Sequence, residues 1–532
     1  MKTFIKYISV AIAAIALCSC EDSLRTVPEG STKTSEQKAE ANQQNPSTQA
    51  ADLAAVYAKM IELFAGLGDL GYERHNDFGY AATCLFTDAD ADVVSLNIGY
   101  NWFSGNFESR NNTLTTSGGL ICNAVWNLYY KIIYACNSII GLCDPENPGA
   151  TVYNLSQAYA VRAFCYLGLA QLYQFNPVVN AANYDKPCVP IVDANMSSEK
   201  QANNPRATVK EVYDFIFKDL NYACEHLKGY KRPDKGFVDQ AVAYGIRARA
   251  NLVVGNWAAA AADADQCLTL SGAKPYSIKE VSKPGFCSAA GNSVLWANII
   301  VESNDIVQTG IVNWPSHLSS LFTDGYTGVG SYRSIPSDLY ESIPATDVRK
   351  GWWLNSSLTS PILTGNYADW QAEILAAGDP STAYINVKFG VAGDNMTTLT
   401  AAADWILMRA EEMILIKAEG LARSGGNGKA VLEDFVKTYR DPSYTQYEST
   451  IENEIWRQRR IELWGEGFSF QDYMRLGKDI NRKNATNWPA AWNFNIPAGH
   501  GCLLWRIPQS ETQANAGIPE SANNPFVAHP TI

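Results

Sequence analysis

The sequence contains few residues whose types and spacing match a known catalytic site. Its five histidines, at positions 75, 226, 317, 500 and 529, are scattered, and none lies in the HExxH pattern of zinc proteases. The sequence also lacks a GxSxG nucleophile turn and a phosphate-binding P-loop. Carboxylates and aromatic rings are abundant, including 14 Trp and 27 Tyr. Such groups suit glycoside hydrolysis by paired acids or the stacking of rings on sugars.

Two stretches match the start of a ligand-binding motif and then depart from it. Residues 66–71, GLGDLG, fit GxGxxG, but a dinucleotide site needs a strand before this pattern and a helix after it. A predicted helix precedes it and a polar loop follows, so we reject a nucleotide site. Residues 88–92, DADAD, open like a calcium-binding EF-hand, but Val93 and Gly99 replace the required Gly and Glu. A looser cation site or a solvated acidic loop remain the alternatives.

Charge sets a further limit on function. The net charge of −12 makes nucleic acid a poor partner, because that binding needs Lys and Arg to neutralise phosphates. Two carboxylates could hydrolyse a glycoside, but the sequence does not give their separation in space. We therefore predict a non-catalytic binding protein without metal or cofactor, and keep a glycoside hydrolase as an alternative.

The first residues have the features of an exported lipoprotein. Lysines precede an apolar run that suits a secretory signal and is too short to span a bilayer. The run ends in LCSC, which resembles a bacterial lipobox with Cys20 as the lipidated residue; cleavage by ordinary signal peptidase is the alternative. We predict a signal peptide over residues 1–19, acyl chains such as palmitate on Cys20, and a flexible, polar tether over residues 20–49.

Beyond the tether, apolar residues recur at helical spacing up to about residue 271. The predicted helices cover residues 51–65, 125–140, 154–175, 208–227 and 238–270, the last range being two helices joined by a turn at residues 255–257. Thr208 and Glu211 fit a capping box at one helix start. Ala260 and Ala264 lie where a tetratricopeptide repeat (TPR) needs small residues for close packing. Six of the twelve cysteines lie in apolar contexts and are predicted to be buried free thiols, with one or two disulfides as the alternative: Cys84, Cys122, Cys136, Cys165, Cys224 and Cys267.

Two more amphipathic helices are predicted between residues 404 and 477. Charges recur beside their apolar stripes at spacings of three or four, and predict local ion pairs: Arg409 with Glu412, Glu419 with Arg423, and Arg459 with Glu462. The string RQRRIELWGEGFSFQDYMRLG at residues 457–477 resembles the C-terminal signature of the SusD/RagB family, whose members are nutrient-binding outer-membrane lipoproteins. Segments at 126–140, 162–173 and 208–220 also resemble family helices, in the family's order.

This resemblance implies a mostly α-helical, SusD-like fold: a TPR-like scaffold of helix pairs with a large, irregular, loop-rich region. It implies one domain over residues 50–532, with the irregular part at about 272–403 and the C-terminal helices and closing segment at 404–532. It further implies a glycan-binding protein on the cell surface that delivers its ligand to a SusC-like TonB-dependent outer-membrane transporter. The less common family use, peptide or protein binding, is the alternative.

A glycan binder needs flat aromatic rings and polar groups that converge on hydroxyls. Loops on a rigid scaffold are where binding residues concentrate. We expect at least two members of the following set to be exposed in a shared groove: Tyr100, Asn101, Trp102, Trp314, Tyr326 and Trp352.

Overall fold

A computed structural model describes residues 35–96, 99–108 and 120–530. The predicted signal peptide and Cys20 lie outside the described residues. Within those ranges, no helix combines the length and the hydropathy needed to cross a membrane.

The first half of the described chain is helical. Its helices are α1 Ser35–Gln44, α2 Ser47–Ala58, α3 Tyr80–Asp90, α4 Ser104–Phe107, α5 Leu120–Ile140, α6 Val152–Tyr173, α7 Ser198–Gln201, α8 Val209–His226, α9 Gln240–Val253 and α10 Trp257–Ser271. Helix α6 packs against α5 and α8, and α9 packs against α8 and α10. Nearly every residue of α6 from Leu155 onward is buried, so α6 is a central element of the stack.

The second half has short helices, two small sheets and long irregular stretches. In chain order its elements are α11 Ile278–Val281, β1 Val294–Asn298, α12 Asp305–Gln308, α13 Trp314–Leu318, α14 Ser337–Glu341, α15 Ala368–Ala377, β2 Trp405–Arg409, α16 Ala410–Arg423, α17 Gly428–Tyr439, α18 Ile451–Glu462, α19 Ser469–Leu476, β3 Ile480–Asn481, β4 Asn495–Ile496 and α20 Gln509–Ala514. Both sheets are antiparallel pairs, β1 with β2 and β3 with β4. One large hydrophobic core spans both halves, and a smaller one joins α16, α17 and α18.

The predicted local signals of the helical half are confirmed. The Thr208 hydroxyl accepts the N–H of Glu211, whose carboxylate accepts the N–H of Thr208, which is the reciprocal capping box. Ala260 and Ala264 are fully buried on α10, which packs against α9 and α16. The six predicted thiols are buried and free.

Two predicted boundaries are wrong. The tether was expected to reach residue 49, but α1 and the start of α2 occupy residues 35–49, where Gln49 is buried. The reason is contact with the helical stack: the Gln43 amide donates to the Pro148 carbonyl over 3.0 Å. The helix expected from residue 404 begins at Ala410, because the preceding segment pairs as β2 with β1 and is buried at every position.

The charges of the C-terminal signature form a buried cluster instead of local pairs on a surface. The Glu419–Arg423 pair is confirmed at 2.9 Å, but the other two expected pairs are wrong. Arg459 binds Asp472, and Glu412 binds Arg249. We use the name buried charge cluster for Arg349, Lys388, Arg409, Glu411, Arg440, Glu462 and Glu466, which are linked by ion pairs of 2.6 to 3.2 Å.

Candidate functional site

The six candidate residues divide into a surface group and a core group. Trp314 and Trp352 are 1% and 0% exposed, so the prediction that they contact a ligand is wrong. Their indole N–H groups donate to backbone carbonyls, Trp314 to Ala403 over 2.8 Å and Trp352 to Val281 over 3.0 Å. All the tryptophans between residues 276 and 403 are buried. These rings fill the core beneath the irregular region.

The surface group forms one aromatic cluster. Trp102 and Tyr326 are partly exposed, with ring centroids 6.4 Å apart and ring planes at 74°. His75 lies between them, stacked on Trp102 at 4.7 Å and edge-on to Tyr326 at 5.9 Å. Tyr100, two residues before Trp102, is 63% exposed. Residues 224 positions apart in sequence thus present two rings to solvent at a fixed angle.

A hydrogen bond fixes the angle between these rings. The Tyr326 hydroxyl lies 2.5 Å from Nδ1 of His75. Burial lowers the pKa of His75 and raises the pKa of Tyr326, so at neutral pH the imidazole is neutral and the phenol keeps its proton. The Tyr326 hydroxyl and His75 Nδ1 thus share a hydrogen bond between two neutral groups, and the imidazole tautomer decides which atom donates.

A second histidine supports this pair from below. His317 of α13 is fully buried and stacks on the Tyr326 ring at 4.6 Å. Its Nε2 donates to the His75 carbonyl over 2.8 Å. Burial lowers the pKa of His317 to about 3, so it is a neutral spacer. The order His317, Tyr326, His75, Trp102 is a continuous set of ring contacts from core to surface.

Backbone contacts hold the loop that carries Trp102. The Asn76 amide donates to the Trp102 carbonyl over 2.7 Å. The Asn101 side chain is buried; its Oδ1 accepts from the Phe103 N–H at 3.0 Å and from Arg333 at 3.1 Å. Asn101 therefore lies at the site but positions the loop, instead of facing a ligand as predicted.

The turn that carries Tyr326 is equally well fixed. The backbone N–H of Tyr326 donates to the Ser316 hydroxyl over 3.0 Å, and the Thr327 hydroxyl donates to the Phe322 carbonyl over 2.7 Å. Gly325 lies so close to Ser316 that a Cβ there would be 2.4 Å from the Ser316 hydroxyl oxygen. The close approach of this turn to α13 requires glycine, and it places the Tyr326 ring over His317.

Sequence reasoning missed two members of the site. Arg74 and His75 lie in the loop after residues 66–71, and neither belongs to a motif. The Arg74 guanidinium carbon is 5.9 Å from the centroid of the Trp102 ring. The only signal in the sequence was a charged pair in a polar loop, which is common on any surface. We use the name Trp102 site for Arg74, His75, Tyr100, Trp102 and Tyr326.

The two motif-like stretches have structural roles. The backbone N–H groups of Gly66 and Leu67 bind the carboxylate of Asp77, which occupies the place that a phosphate would take in a nucleotide site. Burial raises the pKa of Asp77 to about 6. A Cβ on Gly66 would lie 2.2 Å from the Ala124 carbonyl oxygen, so this glycine allows close packing on α5.

The acidic stretch is buried, so a solvated loop is wrong for it. Asp88 accepts the N–H of Gly467 at 2.8 Å and the hydroxyl of Ser469 at 3.1 Å. Asp92 pairs with Arg460 at 2.7 Å. No group of three His, Cys, Asp or Glu side chains in the described ranges is arranged to hold a metal. These carboxylates join α3 to the C-terminal signature.

Two family models match the sequence. One, described as starch-binding and associating with the outer membrane, covers residues 38–252, and the model of the SusD family covers residues 364–526. A SusD-like protein of Bacteroides ovatus is 24% identical over an alignment of 229 residues. The match covers 38% of this chain and 39% of that protein. The match thus spans about two fifths of the length of this curated relative.

Solved structures share the fold along nearly the whole chain. A SusD-like carbohydrate binding protein of Bacteroides vulgatus has a TM-score of 0.70 at 22% identity, covering 91% of this chain and 98% of its own. A SusD superfamily protein of Bacteroides thetaiotaomicron has a TM-score of 0.68 at 20% identity, with 90% and 99% covered. Surface glycan-binding protein A of Bacteroides thetaiotaomicron has a TM-score of 0.61 at 17% identity, with 90% and 98% covered.

These findings confirm the mostly α-helical, TPR-like fold class and the resemblance based on residues 457–477. One family's models cover both ends of the chain, and that family's fold extends between them. The chain belongs to the SusD/RagB family.

Proposed function

We propose that the protein binds a glycan through the Trp102 site, without turning it over. The observation that carries this proposal is the pair of partly exposed rings, Trp102 and Tyr326, held at 74° by the shared contact with His75. The apolar CH face of a sugar packs on such a ring. Two fixed rings at an angle fit successive sugars of a chain that turns between residues, and exclude a flat, rigid ligand.

Polar groups around the rings suit hydroxyl recognition. The Arg74 guanidinium supplies donors beside the aromatic faces, and the Tyr326 hydroxyl and the His75 ring supply further polar atoms. Tyr100, two residues before Trp102, adds an exposed ring. An apolar ligand would gain nothing from these polar groups, whereas a sugar has hydroxyls that can pair with them.

The comparisons support the same reading. One matching family model is described as starch-binding, and two of the similar structures are named as carbohydrate-binding and surface glycan-binding proteins. The five residues of the Trp102 site include no carboxylate, whereas glycoside hydrolysis requires two flanking the bond. Binding without cleavage therefore fits this set of side chains.

The proposed location is the outer membrane. The lipobox-like sequence ending at Cys20 would attach acyl chains there, and the matching family model is described as associating with the outer membrane. We further propose that the protein passes its glycan to a SusC-like TonB-dependent transporter.

The test is a glycan array followed by titration calorimetry, with the chain that begins at residue 21. We expect saturable binding to one polysaccharide class and no release of reducing ends. Trp102→Ala should weaken that binding at least thirtyfold, or about 2 kcal/mol, as expected for an aromatic residue at the centre of a contact.

Tyr134→Ala is the matched control, because Tyr134 is 70% exposed on α5 and belongs to no part of the Trp102 site. The Tyr134→Ala protein should bind the glycan with the affinity of the unaltered protein. Silence of the whole array, with binding of peptides instead, would overturn glycan binding. Release of reducing ends would overturn binding without turnover.

A further inference from the structure

Among the described residues, Arg74 differs from most arginines because its guanidinium has no ion-pair or hydrogen-bond partner. Arginines elsewhere in the described ranges mostly form ion pairs, as Arg162 does with Asp219 at 2.8 Å and Arg249 with Glu412 at 2.6 Å. The Arg74 guanidinium forms neither an ion pair nor a hydrogen bond with any described residue. The guanidinium carbon lies over the Trp102 ring, 5.9 Å from its centroid, and its N–H groups are available as donors to a ligand at this surface.

A second unpaired cation lies beneath the site. Arg333 is buried and donates only to neutral acceptors, among them Asn101 Oδ1 at 3.1 Å and the Ser95 hydroxyl at 2.9 Å. Desolvation lowers the pKa of Arg333 to about 9, so the group is still charged at neutral pH. A buried charge without a counter-ion extends its field further than a solvated one does.

The nearby carboxylates form no ion pair with these guanidinium groups. Glu73 and Asp324 flank the two site loops in sequence, but both are exposed and neither pairs with Arg74 in the described ranges. Asp77, three residues after Arg74, is bound by the N–H groups of Gly66 and Leu67. The Trp102 site and the core beneath it therefore contain two guanidinium groups without an ion-paired carboxylate, on a chain whose net charge is −12, and these two charges favour an anionic ligand.

We infer that the Trp102 site takes an acidic glycan, with a carboxylate or sulfate of one sugar bound by Arg74 while a neighbouring ring packs on Trp102. The guanidinium presents a planar fork whose spacing matches the two oxygens of a carboxylate or sulfate. A ligand anion at this point would supply the counter-charge that no described side chain provides. This inference rests on the proposed function and names its ligand class.

The test is calorimetry of the chain that begins at residue 21 against matched pairs of polysaccharides. Polygalacturonate and alginate are each compared with their carboxyl-reduced forms, and dextran sulfate with dextran; starch, xylan and galactan form the neutral group. We expect an acidic polymer to bind at least tenfold more tightly than its neutral counterpart. That affinity should fall as salt rises from 50 to 300 mM, because the attraction is screened. Binding of polygalacturonate or alginate would indicate a carboxylate ligand, and binding of dextran sulfate would indicate a sulfate ligand.

Variants assign the preference to the site. Arg74→Gln should remove the tenfold preference, and Arg74→Lys should keep part of it, since lysine keeps the charge and loses the fork. Arg423→Gln is the control: Arg423 also stacks on a tryptophan, Trp257 at 4.9 Å, but is paired with Glu419. The Arg423→Gln protein should show the same preference for the acidic polymer as the unaltered protein.

Each other result overturns the inference. Binding of a neutral polymer as tightly as its acidic counterpart, lost in Trp102→Ala, would refute the acidic ligand and leave the glycan-binding proposal standing. An acidic preference that survives Arg74→Gln would refute the role of Arg74. Silence towards every polymer, acidic and neutral, together with silence of the whole glycan array and binding of peptides instead, would refute both proposals.

Discussion

The Trp102 site and the buried charge cluster use arginine in opposite ways. In the cluster, Glu462 alone accepts ion pairs from Arg349, Arg409 and Arg440 at 2.7 to 3.2 Å. At the Trp102 site, Arg74 lies over a ring and has no acidic partner among the described residues. The difference teaches that the pairing state of a charge, more than its presence, separates residues that hold the fold from residues free to bind a ligand.

The two regions also differ in how they are assembled. The cluster joins strand β2, helices α16 and α18 and the irregular region, so its ion pairs connect segments far apart in sequence. The Trp102 site is built from three loops that rest on α13 and on backbone hydrogen bonds. Changes in the cluster should therefore affect stability, and changes in the site should affect binding.

The largest effect is expected from Glu462→Gln. Burial raises the pKa of Glu462, but Arg440, Arg409 and Arg349 together hold it well below its usual range. The substitution keeps the shape and removes the charge, which leaves buried guanidinium groups without a partner. We expect the free energy of unfolding in urea to fall by about 3 to 5 kcal/mol.

The control for this variant is Asp214→Asn. Asp214 pairs with Lys210 at 2.6 Å on an exposed face of α8, where an ion pair contributes about 0 to 1 kcal/mol. The glycan affinity of the folded Glu462→Gln protein should be unchanged. If Glu462→Gln left the free energy of unfolding unchanged, or weakened glycan binding by the folded protein, the division between the two regions would be wrong.

Some of the fold could be predicted from the sequence because its signals are local. The capping box of Thr208 and Glu211 lies within one helical turn. The small size and spacing of Ala260 and Ala264 are themselves the signal for close helix packing. Strand β2 could not be predicted, because its partner β1 lies more than a hundred residues earlier. The expected pairs of Arg409 and Arg459 failed because their partners lie on other elements: Arg409 pairs with Glu462 and Glu466, and Arg459 on α18 pairs with Asp472 on α19.

The site was only partly predictable, since burial depends on tertiary packing. Trp102 and Trp314 both follow polar residues in irregular sequence, yet one is partly exposed and the other is in the core. Arg74 and His75 carry no motif, and only their contacts with Trp102 reveal them. Aromatic composition suggested a ring-lined site but did not identify which rings are exposed.

A second prediction uses two buried acids that respond oppositely to pH. Desolvation raises the pKa of Asp88 to about 7, because its partners Gly467 and Ser469 are neutral. A carboxyl whose pKa is raised on folding contributes stability below its unfolded value near 4, and this is lost as pH rises through 7. The contribution of Glu462, whose pKa is lowered, is instead present at neutral pH and lost in acid.

The measurement is the free energy of unfolding of Asp88→Asn and of the unaltered protein between pH 8 and pH 5. Asparagine resembles the protonated acid and does not titrate. The unaltered protein should gain about 2 kcal/mol over the variant as pH falls across this range. Asp77 titrates in both proteins and cancels in the difference. A difference that stays constant with pH would contradict the raised pKa.

The smallest effect is expected at the contact that fixes the site, from Tyr326→Phe. This change keeps the ring and removes the hydroxyl that is hydrogen-bonded to His75 Nδ1 over 2.5 Å. We expect glycan affinity to fall about fivefold, or about 1 kcal/mol, because the angle between the rings is no longer held and one sugar-facing hydroxyl is lost. The free energy of unfolding should change by less than that of Glu462→Gln, since the ring stays stacked on His317. Calorimetry with the glycan found by the array and urea unfolding test both parts; an unfolding change as large as in the cluster would mean that this hydrogen bond holds the fold.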